Sequence, residues 1–415
     1  MEDRTMLALN MIVGKDDHNE LDRCLNSVDL KQFNEIVIVR TDPCTELLAV
    51  CEKYTTKHYF KEWASKEFPY GDFGGARNLA LEMTKSKFIM WLDADDILTN
   101  DVNKTIPKIK ENLHNCDYDL LSADYHLFEN GSVSRILSRV RFFRRETCHW
   151  VGAVHEQVRP IEKEKHLVVD LKGFYVTHKK IKPHELSIDR NLEILSHELV
   201  KNPDDSNIKL NYGNELLSFG GASKNKEIID KSFKLLKECL NYPDEEIHPI
   251  NKVMICISIA MQLLYGKNLL YNISYSIDKK DLKIAENFVR IGMSFDEYSK
   301  FAELSVMLGD IYIIRGLATK ALNFYNDVKG KKFDGIGTQN TVFYGDIPAC
   351  RSLYLCYEQG WYEAALWYSN DVLKYHPKDK EIFKLRLELL EKIKEKDSQC
   401  LNTLEQQSEK PLSSV

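Results

Sequence analysis

Three apolar runs stand out in the first hundred residues: LALNMIV (Leu7–Val13), EIVIV (Glu35–Val39) and FIMWL (Phe88–Leu92). Unbroken runs of this length mark strands covered on both faces. Between them the spacing changes, because ELDRCLNSV and GGARNLALEMTK place apolar residues at helical intervals. Strand, helix, strand, helix, strand predicts a parallel α/β sheet with right-handed crossovers. In such sheets ligands collect at the carboxyl ends of the strands.

Near residue 182 the pattern becomes almost wholly helical. LGDIYIIRGLATKALNFY sets Leu308, Gly309, Tyr312, Gly316 and Ala321 at the offsets of a tetratricopeptide helix pair. LYLCYEQGWYEAALWYSNDVLKYHP repeats the glycine-to-alanine spacing with Gly360 and Ala365 and closes on Pro377, and a weaker copy surrounds LNYGNELLSFGG. The expected organisation is an α/β domain over 1–182 and a tetratricopeptide-like helical domain over 183–396. The polar stretch 397–415 is expected to be a disordered tail.

At 415 residues the chain exceeds one ordinary core, which agrees with two domains. No run approaches the roughly 18 apolar residues of a membrane span. The stretch MEDRTMLALNMIVGKDDHNE lacks the basic flank and cleavage site of a signal peptide. Both point to a cytoplasmic protein. Ten cysteines without a C-x-x-C pair indicate neither a zinc cluster nor a secreted disulfide framework. A net charge of −6 argues against a protein built to grip nucleic acid. RILSRVRFFRR is the exception, with Arg135, Arg139, Arg141, Arg144 and Arg145 and no acid. It reads either as a phosphate-binding cluster or as a solvated strand beside an acidic pocket.

The chemistry concentrates behind the third strand. KFIMWLDADDIL ends a buried run with Asp93, Asp95 and Asp96, and carboxylates so crowded repel one another unless a cation or a set of donors compensates. Alternate residues at a strand end share a side, so Asp95 can meet an ion while Asp93 addresses a ribose or a metal-bound water. The competing structural role is helix capping, which Asp96 would take for a helix starting near Ile97.

The ordered set MIVGKDDHNELDRCLNSV, EIVIV, GDFGGARNLALE, WLDADD and FFRRETCHWVGAVHEQV resembles family-2 glycosyltransferases of the GT-A fold, in the branch carrying a C-terminal tetratricopeptide-like domain. The layout is similar to the glycocin S-glycosyltransferases. The resemblance implies a nucleoside-diphosphate sugar donor, a Mn2+ or Mg2+ ion held by Asp95 with His178 available to complete its sphere, and Arg77 turned toward the nucleotide. It also implies Asp16 or Asp17 near the base or ribose. Arg40 stands where relatives carry a base-binding Asp, a role left to Asp42 if the base is uracil at all.

The same resemblance implies inversion, with Glu156 as the base and His155 as the alternative or as the neighbour that sets its pKa. A Glu beside an apolar surface would have its pKa raised toward neutrality. A concave helical domain favours a peptide or protein acceptor over a saccharide, with a modified nucleobase less favoured. It is also a surface through which two copies could pair. A nucleotidyltransferase and a non-catalytic tetratricopeptide adaptor are the competing classes.

Overall fold

The computed structural model describes residues 7–115, 118–129, 131–162, 168–179, 185–266, 277–296, 300–331 and 338–408. The chain forms two compact units, Met1–Lys252 with Gly335–Gln339, and Val253–Asp334 with Asn340–Val415.

In the first unit, β1 (Leu7–Val13), α1 (His18–Ser27), β2 (Glu35–Arg40), α2 (Thr45–Tyr54), β3 (His58–Phe60), α3 (Phe73–Met83) and β4 (Phe88–Leu92) follow one another. Every residue of β1 and β4 is buried, because helices cover both faces. Leu7, Leu9, Met11 and Val13 pack with Leu21 and Leu25 of α1 and Leu47 of α2. On the opposite face Ile12, Val37 and Val39 pack with Ala76 and Ala80 of α3. The period-2 alternation thus feeds two cores at once. Strands β3, β2, β1 and β4 are parallel, as the pattern predicts.

The other half of the sheet is not parallel throughout. Next come β5 (Asp96–Ile97), α4 (Asn100–Asn103), α5 (Ile106–Asn115), β6 (Leu120–Glu129), β7 (Ser132–Arg144), β8 (Cys148–Val151), β9 (Gln157–Pro160) and β10 (Val168–His178). The strand order is β3-β2-β1-β4-β7-β6-β10-β5. Strand β7 runs antiparallel to β4 and β6, so the sheet is mixed; a short hairpin connection between β6 and β7 forces that reversal. No helix begins at Ile97. Instead Asp96 and Ile97 form a two-residue strand opposite His178 and Thr177.

The first unit continues with α6 (Glu185–Lys201), α7 (Ser206–Ser223) and α8 (Lys226–Cys239). The expected change of character at 182 lies outside the described residues, between the end of β10 and the start of α6; the compact units divide further on, after Lys252.

The second unit takes most of α9 (Pro249–Tyr265), then α10 (Lys279–Met293), α11 (Ala302–Ile314), α12 (Ala318–Asp327), α13 (Asp346–Glu358), α14 (Tyr362–Tyr375) and α15 (Lys380–Ser408). The pairs α11–α12 and α13–α14 are helical hairpins turning on Gly316 and Gly360, at φ 71° and 70°. The backbone there is left-handed, which favours glycine. Ala321 and Ala365 are fully buried between paired helices. The tail expected to be disordered is helical as far as Ser408, in a stretch of good helix formers; residues 409–415 lie outside the described residues. Among the described residues no helix is long and apolar enough to cross a membrane, and the nine described cysteines are free thiols.

Candidate active site

A cavity of about 1560 Å³ opens over the carboxyl ends of β1, β2 and β4, where a sheet of this kind places its ligands. It exceeds the usual range for one small ligand. Asp16, Asp17, Asp42, Arg77, Asp93, Asp95, His155, Glu156 and His178 all line it.

Two separated sequence motifs form its floor. Gly74 of α3 lies so close to the loop between β8 and β9 that a Cβ would stand 2.3 Å from the Gly152 carbonyl oxygen. Phe73 N donates to Ala153 O at 2.8 Å. Asn78 exchanges two hydrogen bonds with the Trp150 backbone. These contacts bring Arg77 under the loop that carries His155 and Glu156. The guanidinium is buried, lies 4.5 Å from the Trp91 ring centroid and 4.7 Å from that of Trp150, and donates from Nη2 to Asp93 at 2.7 Å and from Nε to Glu156 at 2.6 Å. Burial would raise the Asp93 carboxyl, but Arg77, with Arg141 and Arg139 beyond it, holds it well below the usual carboxylate range. Glu156 therefore stands in an ion pair, not alone beside an apolar surface as the sequence reading had it.

His155 does not bond to Glu156. Its backbone is left-handed, at φ 52°, and its Nε2 lies 2.8 Å from Glu215 Oε1 of α7.

The acidic cluster divides by burial. Asp96 is wholly buried and acts as a hub: Oδ2 accepts from Arg141 Nη1 at 3.1 Å and from Asp93 N at 3.0 Å, and Oδ1 accepts from Tyr125 Oη at 2.9 Å. It braces the turn and caps no helix. Asp95 faces the cavity, and the β5–β10 register carries His178 to it, with Nδ1 3.2 Å from Asp95 Oδ1. Burial alone would lower the His178 ring, but hydrogen bonds to Asp95 and Asp96 outweigh it and push it up to about 9. A ring that gathers a proton between two carboxylates marks a place suited to a cation. Asp95, Asp96 and His178 present three ligand atoms within 4.8 Å of one another. Since Asp96 is engaged by Arg141 and Tyr125, Asp95 and His178 are the pair that fits a divalent ion, which needs only one or two protein ligands when waters and phosphate oxygens supply the rest.

At the other rim, Asp17 Oδ2 accepts from Gly14 N at 2.6 Å and ties down the turn. Asp16 sits exposed in that turn at φ 63°. Asp42 Oδ1 accepts from Cys44 N at 2.9 Å. Arg40 is absent from the lining, whereas Thr41 and Asp42 belong to it.

The arginine run separates into different duties. The β6–β7 register passes from Leu121↔Phe142 to Ser122↔Val140, which leaves Arg141 as the extra residue of a β-bulge, a device that re-aims a side chain. Arg141 is fully buried between Trp91 and Tyr125. Arg144 pairs with Asp119 at 3.3 Å. Arg139 alone of the five lines the cavity. Sequence reasoning missed Trp63, Arg190, Asn191 and Asn211, which also line it; the last three come from α6 and α7, far along the chain from every motif.

The family model of glycosyl transferase family 2 matches residues 15–179, the stretch that carries most of this fold and cavity. Among individual proteins, the chain is similar to the SPbeta prophage-derived glycosyltransferase SunS of Bacillus subtilis (strain 168) and to glycosyltransferase SunS of Bacillus phage SPbeta. Each is 24% identical over 269 residues, covering 60% of this chain. The match spans 58% of the length of these relatives. A solved structure, S. aureus TarS 1-349 in complex with UDP-GlcNAc, covers 69% of this chain and 92% of its own at 13% identity, with a TM-score of 0.38.

Proposed function

We propose that this chain is a divalent-metal-dependent, inverting glycosyltransferase that moves a sugar from a nucleoside diphosphate to a peptide, protein or saccharide acceptor. The observation that carries the reading is the division of the cavity into two poles. Asp95 and His178 meet at a cation-attracting corner, while Arg77 holds Glu156 at the other side of Asp93. The family-2 match over 15–179 and the glycosyltransferase relatives support sugar transfer.

Asp95 and His178 would hold Mn2+ or Mg2+, which when bound neutralises the charge that develops on a leaving diphosphate. Arg139 offers a planar guanidinium to diphosphate oxygens from the cavity wall. Asp16 and Asp42 address the nucleoside end, with Asp17 fixing the turn beneath it. Glu156, ion-paired with Arg77, accepts the proton of the attacking acceptor group. His155, oriented by Glu215, is the second candidate for that proton. Asn191 and Asn211 border the cavity beside His155 and suit the acceptor side.

Product stereochemistry and acceptor mass test the reading together. With a panel of nucleotide sugars, Mn2+ and a peptide acceptor pool, the peptide should gain one glycosyl mass, and NMR should find the anomeric configuration opposite to that of the donor. Retained configuration would contradict Glu156 and His155 as bases.

A further inference from the structure

Away from the cavity, three side chains of the second unit converge. Asp346 and Cys350 lie one turn apart on α13 and so share a face, and His376 follows the last residue of α14. His376 Nε2 is 2.8 Å from Asp346 Oδ1, and Cys350 Sγ donates to the same oxygen at 3.5 Å. The three ligand atoms lie within 4.8 Å of one another.

The two helix ends also touch beside the cluster. A Cβ on Gly345 would stand 1.8 Å from Tyr375 Oη, so a larger residue there would have to displace the Tyr375 ring. Asp346 is buried and Cys350 half-buried, while the His376 side chain is 39% exposed. One side of the cluster is thus packed and the other reachable from solvent.

The donor set differs in kind from the one at Asp95. One carboxylate oxygen, one imidazole nitrogen and one sulfur make a mixed, borderline-soft set, which favours Zn2+ over Mg2+ or Ca2+. Bonds of about 2.0–2.3 Å in a tetrahedron separate ligand atoms by roughly 3.3–3.8 Å. The observed 3.5 Å already falls there, and the 2.8 Å contact has only to open slightly. The thiol and the imidazole thus converge on a single carboxylate oxygen.

We propose that Asp346, Cys350 and His376 bind one Zn2+ ion through Oδ1, Sγ and Nε2, with water as the fourth ligand. The Cys350 thiol gives its proton to solvent as the Zn–S bond forms, and the ion replaces the present hydrogen bonds. Bound there, it fastens α13 to the end of α14.

The test uses the full chain stripped with a chelator and titrated with Co2+, a spectroscopic stand-in for zinc. One equivalent should produce a sulfur-to-cobalt charge-transfer band that Zn2+ abolishes. Cys350→Ser should lose the band, and His376→Gln should weaken Co2+ binding by at least about 10-fold, since even an outer-sphere partner of a ligand is worth that much. His376 is partly exposed, so its variant carries the test if the serine variant fails to fold. Asp95→Asn should leave the band intact, which separates this site from the cavity. Absence of the band in the unaltered chain, or its survival unchanged in both variants, would overturn the proposal.

Discussion

Arg77 Nε donates to Glu156 Oε1 at 2.6 Å across 79 residues of sequence, and the same guanidinium holds Asp93. Two carboxylates lining one cavity therefore share a single buried guanidinium as their direct partner. Arg77→Met removes that partner from both, and such a loss costs about 3–5 kcal/mol. Urea unfolding should show it, with Arg77→Lys falling between, because an ammonium cannot reach both carboxylates from a plane stacked between Trp91 and Trp150. Equal stability of all three proteins would remove Arg77 as the organising residue.

Glu156→Gln keeps the shape but not the proton acceptor. Transfer to acceptor should fall at least about 100-fold, the ordinary size of a general-base contribution, while donor and metal binding persist. His155→Gln should have the smaller effect. The reverse order, measured as single-turnover rates, would hand the role of base to His155 with Glu215 as its orienting partner.

Arg139 and Arg141 sit two residues apart and should fail differently. Arg139→Ala should weaken nucleotide-sugar affinity by about 10- to 100-fold, the worth of a charged hydrogen bond, without changing stability. Arg141→Met should cost about 3–5 kcal/mol because Asp96 loses its buried guanidinium partner in the core. Calorimetric binding and unfolding on both variants would check the division, and interchanged outcomes would contradict the bulge assignment.

The parallel half of the sheet was legible because β1, β2 and β4 are apolar on both faces, and continuous runs leave little choice. The antiparallel half was hidden by β7, whose arginines mimic a solvated strand until the bulge turns Arg141 inward. GGARN and WVGAVHE could be read as separate motifs, but the Asn78–Trp150 and Arg77–Glu156 bonds that unite them span more than seventy residues. Asp96 looked like a cap because its neighbours are acidic and a helix was expected; only the β5–β10 pairing reveals it as a buried hub. Arg190 and Asn191 carry no local signal at all, since α6 brings them in from beyond the matched region.

The second unit has its own pH dependence. Glu303 is buried, with Oε1 accepting from Asn340 N at 2.7 Å and Oε2 lacking a hydrogen bond among the described residues. Burial pushes its carboxyl up to about 7. A folded-state value above the unfolded one means that its stabilising contribution is complete below about pH 4.5 and is lost as pH rises through about 7. Calorimetric melts should show the helical unit weaker at pH 8 than at pH 5 by on the order of 3 kcal/mol. Glu303→Gln should flatten that dependence, and an unchanged slope would place its cause elsewhere.

The central claim is that Asp95 and its cavity use a nucleotide sugar with a divalent ion. It is tested most directly by the release of free nucleoside diphosphate from nucleotide sugars, measured for the unaltered chain and for Asp95→Asn with Mn2+ and with excess EDTA. The account predicts release with Mn2+, its loss in EDTA and recovery on adding Mn2+ back, and none from Asp95→Asn, whose neutral amide is a poor ligand for a hard cation. Equal release by both proteins, or release unaffected by EDTA, would contradict it.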